Sequence, residues 1–226
     1  MRPQRSDSIP CGIALAISGG CMDAYSYLFR GHVFANAQTG NMLLFGVHLA
    51  NGEIHASLRY LWPVLAFITG IILSDVIHQK CSFSKIHWRQ IAVLIEALIL
   101  MLVAWIPESC HSIANMMISL ACGIQVESFR TIQDHSIATT MCIGNLRSGT
   151  YHLGQYLSTK KDSYLKKACL YYGIILAFVM GAILESHSIA MLGCKAILLS
   201  PVFLILVFFI MLRKAGTDDE NPHVEG

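Results

Sequence analysis

Long apolar stretches separated by short polar ones are the dominant pattern of this sequence. The hydrocarbon core of a bilayer is about 30 Å thick, and a helix needs about 20 apolar residues to cross it. Six stretches approach this length: residues 9–29, 60–78, 91–106, 112–133, 168–184 and 191–212. The pattern predicts an all-α, polytopic bundle of transmembrane helices that forms one integral membrane domain over residues 1–226.

Two further segments, residues 33–50 and 137–157, carry Asn, Thr, Gln or Arg where a lipid-facing helix would carry Leu. Both contain one motif: Gly40-Asn41 followed by His48, and Gly144-Asn145 followed by His152. A polar motif repeated between apolar spans predicts two related halves, about residues 9–106 and 112–214, that share one site at mid-membrane. The polar tail at 215–226 is expected to be disordered.

Lys and Arg residues collect in four places, and the positive-inside rule puts such clusters on the cytoplasmic side. The clusters are Arg2/Arg5, Lys80/Lys85/Arg89, Lys160/Lys161/Lys166/Lys167 and Arg213/Lys214. All four lie on one side only if residues 33–50 and 137–157 enter the membrane and return to the same face. The loops expected on the opposite side, residues 51–59, 107–111 and 185–195, hold only Arg59 and Lys195 as basic residues.

The charge pattern therefore favours six spans and two re-entrant segments over the alternative of eight full spans. Each half then contains three spans, and because three is odd the second half is inverted relative to the first. Both termini are expected in the cytoplasm. Non-helical backbone at membrane depth is tolerated only where protein or a water-filled cavity satisfies its polar groups, so the re-entrant segments predict an internal polar path.

The composition supports this class and excludes others. Hydrophobic residues make up 54% of the chain and charged residues only 13%, too few to coat a soluble globule of this size. A net charge of +2 does not indicate binding to nucleic acid. The eight cysteines form no C-x-x-C pair, and motifs of the common soluble enzymes are missing from the sequence. We expect no cofactor, no metal site and no catalytic residue.

The first half also contains a recognisable signature: Ser18-Gly19-Gly20-Cys21-Met22-Asp23-Ala24, then Phe34-Ala35-Asn36-Ala37-Gln38-Thr39-Gly40-Asn41. This signature resembles that of the YoaK family of multi-pass bacterial membrane proteins, also described as domain of unknown function 1275. The similarity covers about residues 10–214. The family's usual Asn-hydrophobic-Thr-Gly-Asn has one additional residue here. The resemblance implies a polytopic protein of the bacterial inner membrane and gives no mechanism.

Asp23 lies near the middle of the first span, where a carboxylate costs about 2.5–3.5 kcal/mol on insertion scales. Such a cost is usually maintained for a proton, an ion or a substrate. The alternative is that Asp23 caps a helix broken at Gly19-Gly20. Glu127 is the matching acid of the second half, and it is either part of the path or paired with Arg130 on the same helix face.

The remaining candidates follow from the repeated motif. A short helix beginning at Gly40-Asn41 or Gly144-Asn145 would point a partial positive charge at the midplane, while the alternative is that these residues pack within full spans. Arg147 needs a partner at depth, with Asp23, Glu127, Asp134 or a bound anion as candidates. The predicted substrate path contains Asp23, Asn36, Thr39, Gly40, Asn41, Glu127, Gly144, Asn145 and Arg147.

Three residues are candidates for proton coupling. Glu96 lies midway along a predicted span, as a coupling acid or a hydrogen-bonded structural group. His48 and His152 are interface residues, or they meet as a relay or metal pair.

The leading hypothesis is a transporter or channel for a small molecule or ion. The rivals are an intramembrane enzyme that uses buried carboxylates and histidines, and a non-catalytic scaffold or sensor. The expected partners are the lipid bilayer and an unidentified substrate, and a homo-oligomer remains open.

Overall fold

The computed structural model describes residues 7–81, 87–133 and 135–213, so the predicted tail lies outside the described residues. The helices are α1 (Ile9–Phe29), α2 (Gln38–Ala50), α3 (Ile54–Cys81), α4 (Trp88–Val103), α5 (His111–Ser128), α6 (Cys142–Thr159), α7 (Asp162–Leu192) and α8 (Leu199–Arg213). Short 3-10 helices occupy Glu108–Cys110 and Gly193–Leu198. Strands β1 (Thr131–Ile132) and β2 (His135–Ser136) form an antiparallel hairpin. The fold is all-α, as predicted.

Helix boundaries follow the apolar stretches in some places and not in others. The first predicted span coincides with α1. α7 continues beyond the apolar stretch that ends at residue 184, because neither Gly nor Pro interrupts the chain before Gly193, whose φ is +55°. Glu185 therefore lies within a helix, and the prediction of a loop at 185–195 was wrong for most of its length. Two helical stretches, Ile54–Lys80 and Asp162–Leu212, are long and apolar enough to cross a membrane.

Contacts between distant turns define one end of the bundle, which we call the Arg30 end. The contacts are Arg30 Nη1 donating to the Pro107 carbonyl (2.9 Å), Arg59 Nη2 donating to the Gly31 carbonyl (3.0 Å), and Lys195 Nζ lying 4.6 Å from the ring centre of Trp105. The end of α1, the start of α3, and the α4–α5 and α7–α8 turns therefore lie together.

A second set of contacts defines the opposite end, the Asp7 end. Arg89 Nη1 donates to the Asp7 carboxylate (2.6 Å), the Gln133 N–H donates to the Asp7 carbonyl (2.9 Å), and the rings of His78 and Trp88 lie 4.3 Å apart. A cavity of about 650 Å³ at this end is lined by residues that include Ile9, Gln133 and Lys166. The starts of α1, α4 and α7 therefore lie together, with the end of α3 and the β-hairpin.

α4 begins at this end with a capping box. The His87 ring accepts the N–H of Arg89 (3.3 Å), and Gln90 Oε1 accepts the N–H of His87 (3.1 Å). Partial burial of the ring, followed by the charges of Arg89 and His78, lowers the pKa of His87. The neutral ring has the lone pair that accepts the hydrogen bond, so the cap is formed at neutral pH.

The two ends fix the direction of each helix. α1 and α4 both run from the Asp7 end to the Arg30 end, whereas α5 runs back. Two buried bonds confirm that α1 and α5 are antiparallel: Gln125 donates to the Leu15 carbonyl (3.0 Å) and Asn115 to the Arg30 carbonyl (2.8 Å). α1 packs against α7 and α8, α5 packs against α3 and α4, α2 packs on α3, and α6 packs on α7.

Two segments turn back toward the middle of the bundle. The first returning segment, residues 31–50, leaves α1 at the Arg30 end. It brings Asn36 to the level of Gly19, about 16 Å back along α1 at 1.5 Å per residue. α2 then leads out to the Arg30 end, where α3 begins. The second returning segment, residues 129–159, does the same from the Asp7 end through α6. Neither segment is one unbroken helix, because α2 has 13 residues and α6 has 18.

Candidate functional site

The tips of the two returning segments meet at Gly19 of α1. Asn36 Nδ2, from the first tip, donates to the Gly19 carbonyl (2.7 Å). From the second tip, the Thr139 carbonyl oxygen and Thr140 Cα lie 3.0 and 3.2 Å from the place where a Cβ of residue 19 would be. Glycine at position 19 therefore allows the second tip to approach the turn of α1 that the first tip also contacts.

α5 holds the second tip in place through Gln125. Its Nε2 donates to Thr139 Oγ1 (2.9 Å) and to the Leu15 carbonyl (3.0 Å). All of these side chains lie within about one helical turn of Gly19. We call Gly19, Asn36, Gln125, Thr139 and Thr140 the midpoint cluster.

Three oxygens of the midpoint cluster are buried without a hydrogen-bond partner in the described part of the chain: Asn36 Oδ1, Gln125 Oε1 and Thr140 Oγ1. The amide orientations are fixed, because Nδ2 of Asn36 and Nε2 of Gln125 each face a backbone carbonyl. Leaving a buried acceptor unpaired costs about 1–3 kcal/mol. Such oxygens are suited to water, to a ligand that donates hydrogen bonds, or to a cation.

Asp23 joins the first tip to α1. Its Oδ1 accepts the N–H of Asn36 (2.8 Å), and the N–H groups of Ala35 and Ala37 also face the carboxylate. α1 is continuous through Gly19-Gly20. The interpretation of Asp23 as the cap of a broken α1 is therefore wrong. Asp23 instead caps the tip that precedes α2, so the charge sits at the positive end of that helix.

The repeated asparagines share two contacts in both halves and differ in a third, which goes from Asn41 to Gln38 Oε1 (2.9 Å) and from Asn145 to the Met141 carbonyl (3.2 Å). Asn41 Oδ1 accepts the Phe34 N–H (3.2 Å) and Asn41 Nδ2 donates to the Phe34 carbonyl (2.7 Å). Asn145 makes the same two bonds with Ala138, at 3.3 and 2.6 Å. Each asparagine thus closes a loop between its short helix and the strand-like residues that precede it. The motif seen in the sequence is a pair of backbone clamps at the tips.

The other predicted path residues lie farther out. Thr39 and Gly144 are exposed, and a Cβ at Gly40 would contact only the Phe34 ring. Arg147 lies on the exposed face of α6, beside a cavity of about 1000 Å³, and makes no ion pair with a described residue. Arg147 was predicted to need a partner at depth; no described residue provides one, and the candidate partner Asp134 lies outside the described residues.

Glu127 lies in the last turn of α5 and forms an ion pair with Arg130. No contact in the described ranges joins it to Asp23. The reason is that α1 and α5 are antiparallel. Beyond the midpoint cluster, Asp23 therefore lies toward the Arg30 end and Glu127 toward the Asp7 end. The structure thus separates the two acids that the sequence matched.

The histidines are also separate. His48 bonds to Glu53 and stacks on Tyr60, with ring centres 5.4 Å apart. His152, on α6, stacks on Tyr171 at 5.8 Å. The two histidines face opposite ends of the bundle, so the alternative in which they meet as a relay or metal pair is wrong.

Two buried glutamates lie beside α1 and α5. Glu96 of α4 is 0% exposed, and neither of its carboxyl oxygens has a partner among the described residues. It acts electrostatically on Cys122 of α5, as Asp23 does, which places it next to the midpoint cluster. Glu185 of α7 is equally buried and unpartnered. The sequence reasoning missed Glu185 because it ended the span at residue 184.

The outer surface exposes large apolar side chains, such as Ile143 (78%), Trp105 (70%) and Leu43 (66%), while polar groups gather inside. This inside-out distribution, in an all-α bundle, defines a helical membrane protein.

Sequence comparison gives the family. The family model described as "Protein of unknown function (DUF1275)" matches residues 11–210, and the chain belongs to this family. It is similar to the UPF0700 transmembrane protein YoaK of Bacillus subtilis (strain 168), with 26% identity over 180 residues that cover 75% of this chain and 79% of that relative. This confirms the resemblance read from the signature. No solved structure matches the chain.

Proposed function

We propose that the protein is a transporter or channel for a small molecule or ion, with a path through the midpoint cluster. The observation that carries this proposal is the set of three unpaired, buried oxygens where segments from opposite ends of the bundle meet. A purely structural core normally pairs such groups. We place the route here because segments from both ends of the bundle meet at Gly19.

The proposed membrane arrangement has six spans and two re-entrant segments. Two observations support it. α1 and α5 are antiparallel, and each returning segment finishes at the end of the bundle from which it started. The Asp7 end carries most of the described Lys and Arg residues: Lys80, Arg89, Arg130, Lys160, Lys161, Lys166 and Lys167. By the positive-inside rule this end faces the cytoplasm of an inner membrane, with both termini there.

The internal repeat is the second part of the arrangement. Two observations support the repeat. α1 packs against α7 and α8 as α5 packs against α3 and α4, and the Asn41 and Asn145 clamps are alike. An inverted repeat places its substrate site at the interface of the halves, where the tips lie.

The chemistry of the cluster favours permeants that donate hydrogen bonds or carry positive charge. The amide donors of Asn36 and Gln125 are already used, so the free groups are mainly acceptors. Asp23 offsets the positive end of α2. Anions are therefore disfavoured at the first tip, in contrast to what the dipole of a short helix alone would predict.

Proton coupling by Glu96 is part of the proposal. Its support is a fully buried carboxyl group without a partner in the described chain, within electrostatic reach of Cys122 beside the cluster. A group of this kind is neutral unless water or a cation reaches it.

The test compares Thr140→Val with Thr139→Val in proteoliposomes. Fluxes of urea, glycerol and K⁺ are measured, together with thermal stability. Thr140 Oγ1 has no hydrogen-bond partner in the described chain, so valine should leave stability unchanged or raise it, and should alter the flux of at least one probe roughly tenfold, the effect of about one hydrogen bond. Thr139→Val removes the bond from Gln125 and should lower stability by about 1 kcal/mol.

Wild-type flux equal to that of empty liposomes for all three probes would refute the proposal. So would a Thr140→Val protein with the wild-type fluxes, because the hydroxyl would then have no contact with the path.

A further inference from the structure

The buried charged residues of α1 and α7 differ in how they are satisfied. Arg30 is 0% exposed, yet its guanidinium donates to the Tyr25 hydroxyl and to the carbonyls of Ile106 and Pro107 at 2.8–2.9 Å. Glu185 is 0% exposed as well, and its carboxyl oxygens have no N–H or O–H donor within the described ranges; the group beside them is the Cys21 thiol. The hydrogen bonds of Arg30 account for its burial, so it has a structural role. Such bonds do not account for the burial of Glu185.

The groups that face Glu185 come from α1. The Cys21 thiol lies beside the carboxyl group but donates its hydrogen bond to the Gly181 carbonyl (3.3 Å). The Tyr25 hydroxyl is near enough to interact electrostatically, but it donates to the Cys194 carbonyl (2.8 Å) in the 3-10 helix before α8.

The other elements that the structure describes bring no counter-charge to Glu185. α6 contacts the earlier part of α7, around Tyr171 and Tyr172. Lys195 in the 3-10 helix is exposed and lies over Trp105. No Lys, Arg or His among the described residues pairs with Glu185. An ionised carboxylate without a counter-charge would be strongly disfavoured in such a place.

We propose that Glu185 is a proton-binding site, neutral in this conformation and able to release its proton to water when α1 and α7 separate. The carboxylic acid keeps the proton while buried, and its O–H bond breaks only when water can accept the proton and solvate the carboxylate. This proposal rests on the proposed function, because the proton on Glu185 would regulate the path through the midpoint cluster.

α1 provides the link to the midpoint cluster. Gly19 and Asp23 face the tips, while Gly20 and Cys21, on the same turns, face α7. A Cβ at Gly20 would overlap the Phe178 carbonyl oxygen, and a Cβ at Gly181 would overlap that of Ile17. The two backbones therefore touch directly, and a movement of α1 that opens the cluster also changes the cover over Glu185.

Infrared spectroscopy of the purified full chain in nanodiscs tests whether Glu185 holds a proton. At neutral pH we expect absorption from protonated carboxyl groups, of which Glu185→Gln removes about half, Glu96→Gln the other half, and the double variant all. Glutamine has the shape of the neutral acid, so each variant should fold. An unchanged band in Glu185→Gln, or a wild-type band that disappears on adding Na⁺ at constant pH, would overturn the proposal.

Flux measurements test the coupling separately. With urea, glycerol and K⁺ as probes, the wild-type flux should depend on pH, and Glu185→Gln should weaken that dependence and leave the part that Glu96 contributes. An unchanged pH dependence in Glu185→Gln would overturn the coupling. An absence of wild-type flux would refute the proposed function, and the infrared result would still decide whether Glu185 carries a proton.

Discussion

Replacing Gly181 by alanine is expected to destabilise the protein by about 3 kcal/mol or more, at or above the upper end of the usual overpacking cost. The new methyl group would overlap the backbone carbonyl of Ile17, which cannot rotate away as a side chain can. α1 and α7 would have to separate, which would also break the bond from Cys21 to the Gly181 carbonyl.

Gly173→Ala is the matched control on the same helix. No atom lies within 4 Å of a Cβ built at Gly173, and alanine is the better helix former, so we expect a neutral or slightly stabilising effect. Both variants are compared by thermal unfolding in detergent, with the fraction of monodisperse protein as a second readout. Equal stability of the two variants would contradict the packing of α1 against α7 described above.

Asn41→Ala and Asn145→Ala are expected to cost about 2–3 kcal/mol each, because each alanine removes three hydrogen bonds and leaves backbone groups unpaired. The alanine removes both bonds to Phe34 in one tip and to Ala138 in the other. Because the two clamps are alike, the two losses should be similar in size.

Aspartate at the same positions separates the two bonds of each clamp. Asn41→Asp and Asn145→Asp keep an acceptor for the N–H but turn a carboxylate oxygen toward the carbonyl at a buried position. At neutral pH they should therefore cost at least as much as alanine, and at low pH, where a protonated carboxyl group can donate to the carbonyl, part of the loss should be recovered. Unfolding midpoints and amide hydrogen exchange at Phe34 and Ala138 report the result. A large loss in one half with none in the other would contradict the equivalence of the tips.

Much of the fold could be predicted from local patterns. Apolar length predicted α1 with its boundaries, and the polar residues within 33–50 and 137–157 mark segments in which a non-helical stretch precedes a shorter helix. The spacing of Asn41 and Asn145 indicated equivalent roles, which the clamps show in the structure. These features depend on residues close in sequence, or on a repeat that is visible along the chain.

Other features depend on contacts between distant residues, and the sequence alone did not predict them. Gln125, Thr139 and Thr140 carry no motif, and only the meeting of both tips at Gly19 makes them part of the site. Glu127 was matched to Asp23 by position, but the antiparallel packing of α1 and α5 separates them. The prediction placed Glu185 in a loop because the apolar stretch ended. The residues from there to Gly193 favour a helix and could have indicated that α7 continues.

The central claim is that each returning segment enters the membrane and leaves by the face it entered. Single cysteines at the exposed positions His32, Asn51, Gln133 and Lys161, in a background whose native cysteines are replaced, test it directly. A membrane-impermeant maleimide applied to intact cells should label residues 32 and 51 from outside, and residues 133 and 161 only after the membrane is opened. Residues 32 and 51 on opposite sides of the membrane would show that 33–50 is a full span and would contradict the account.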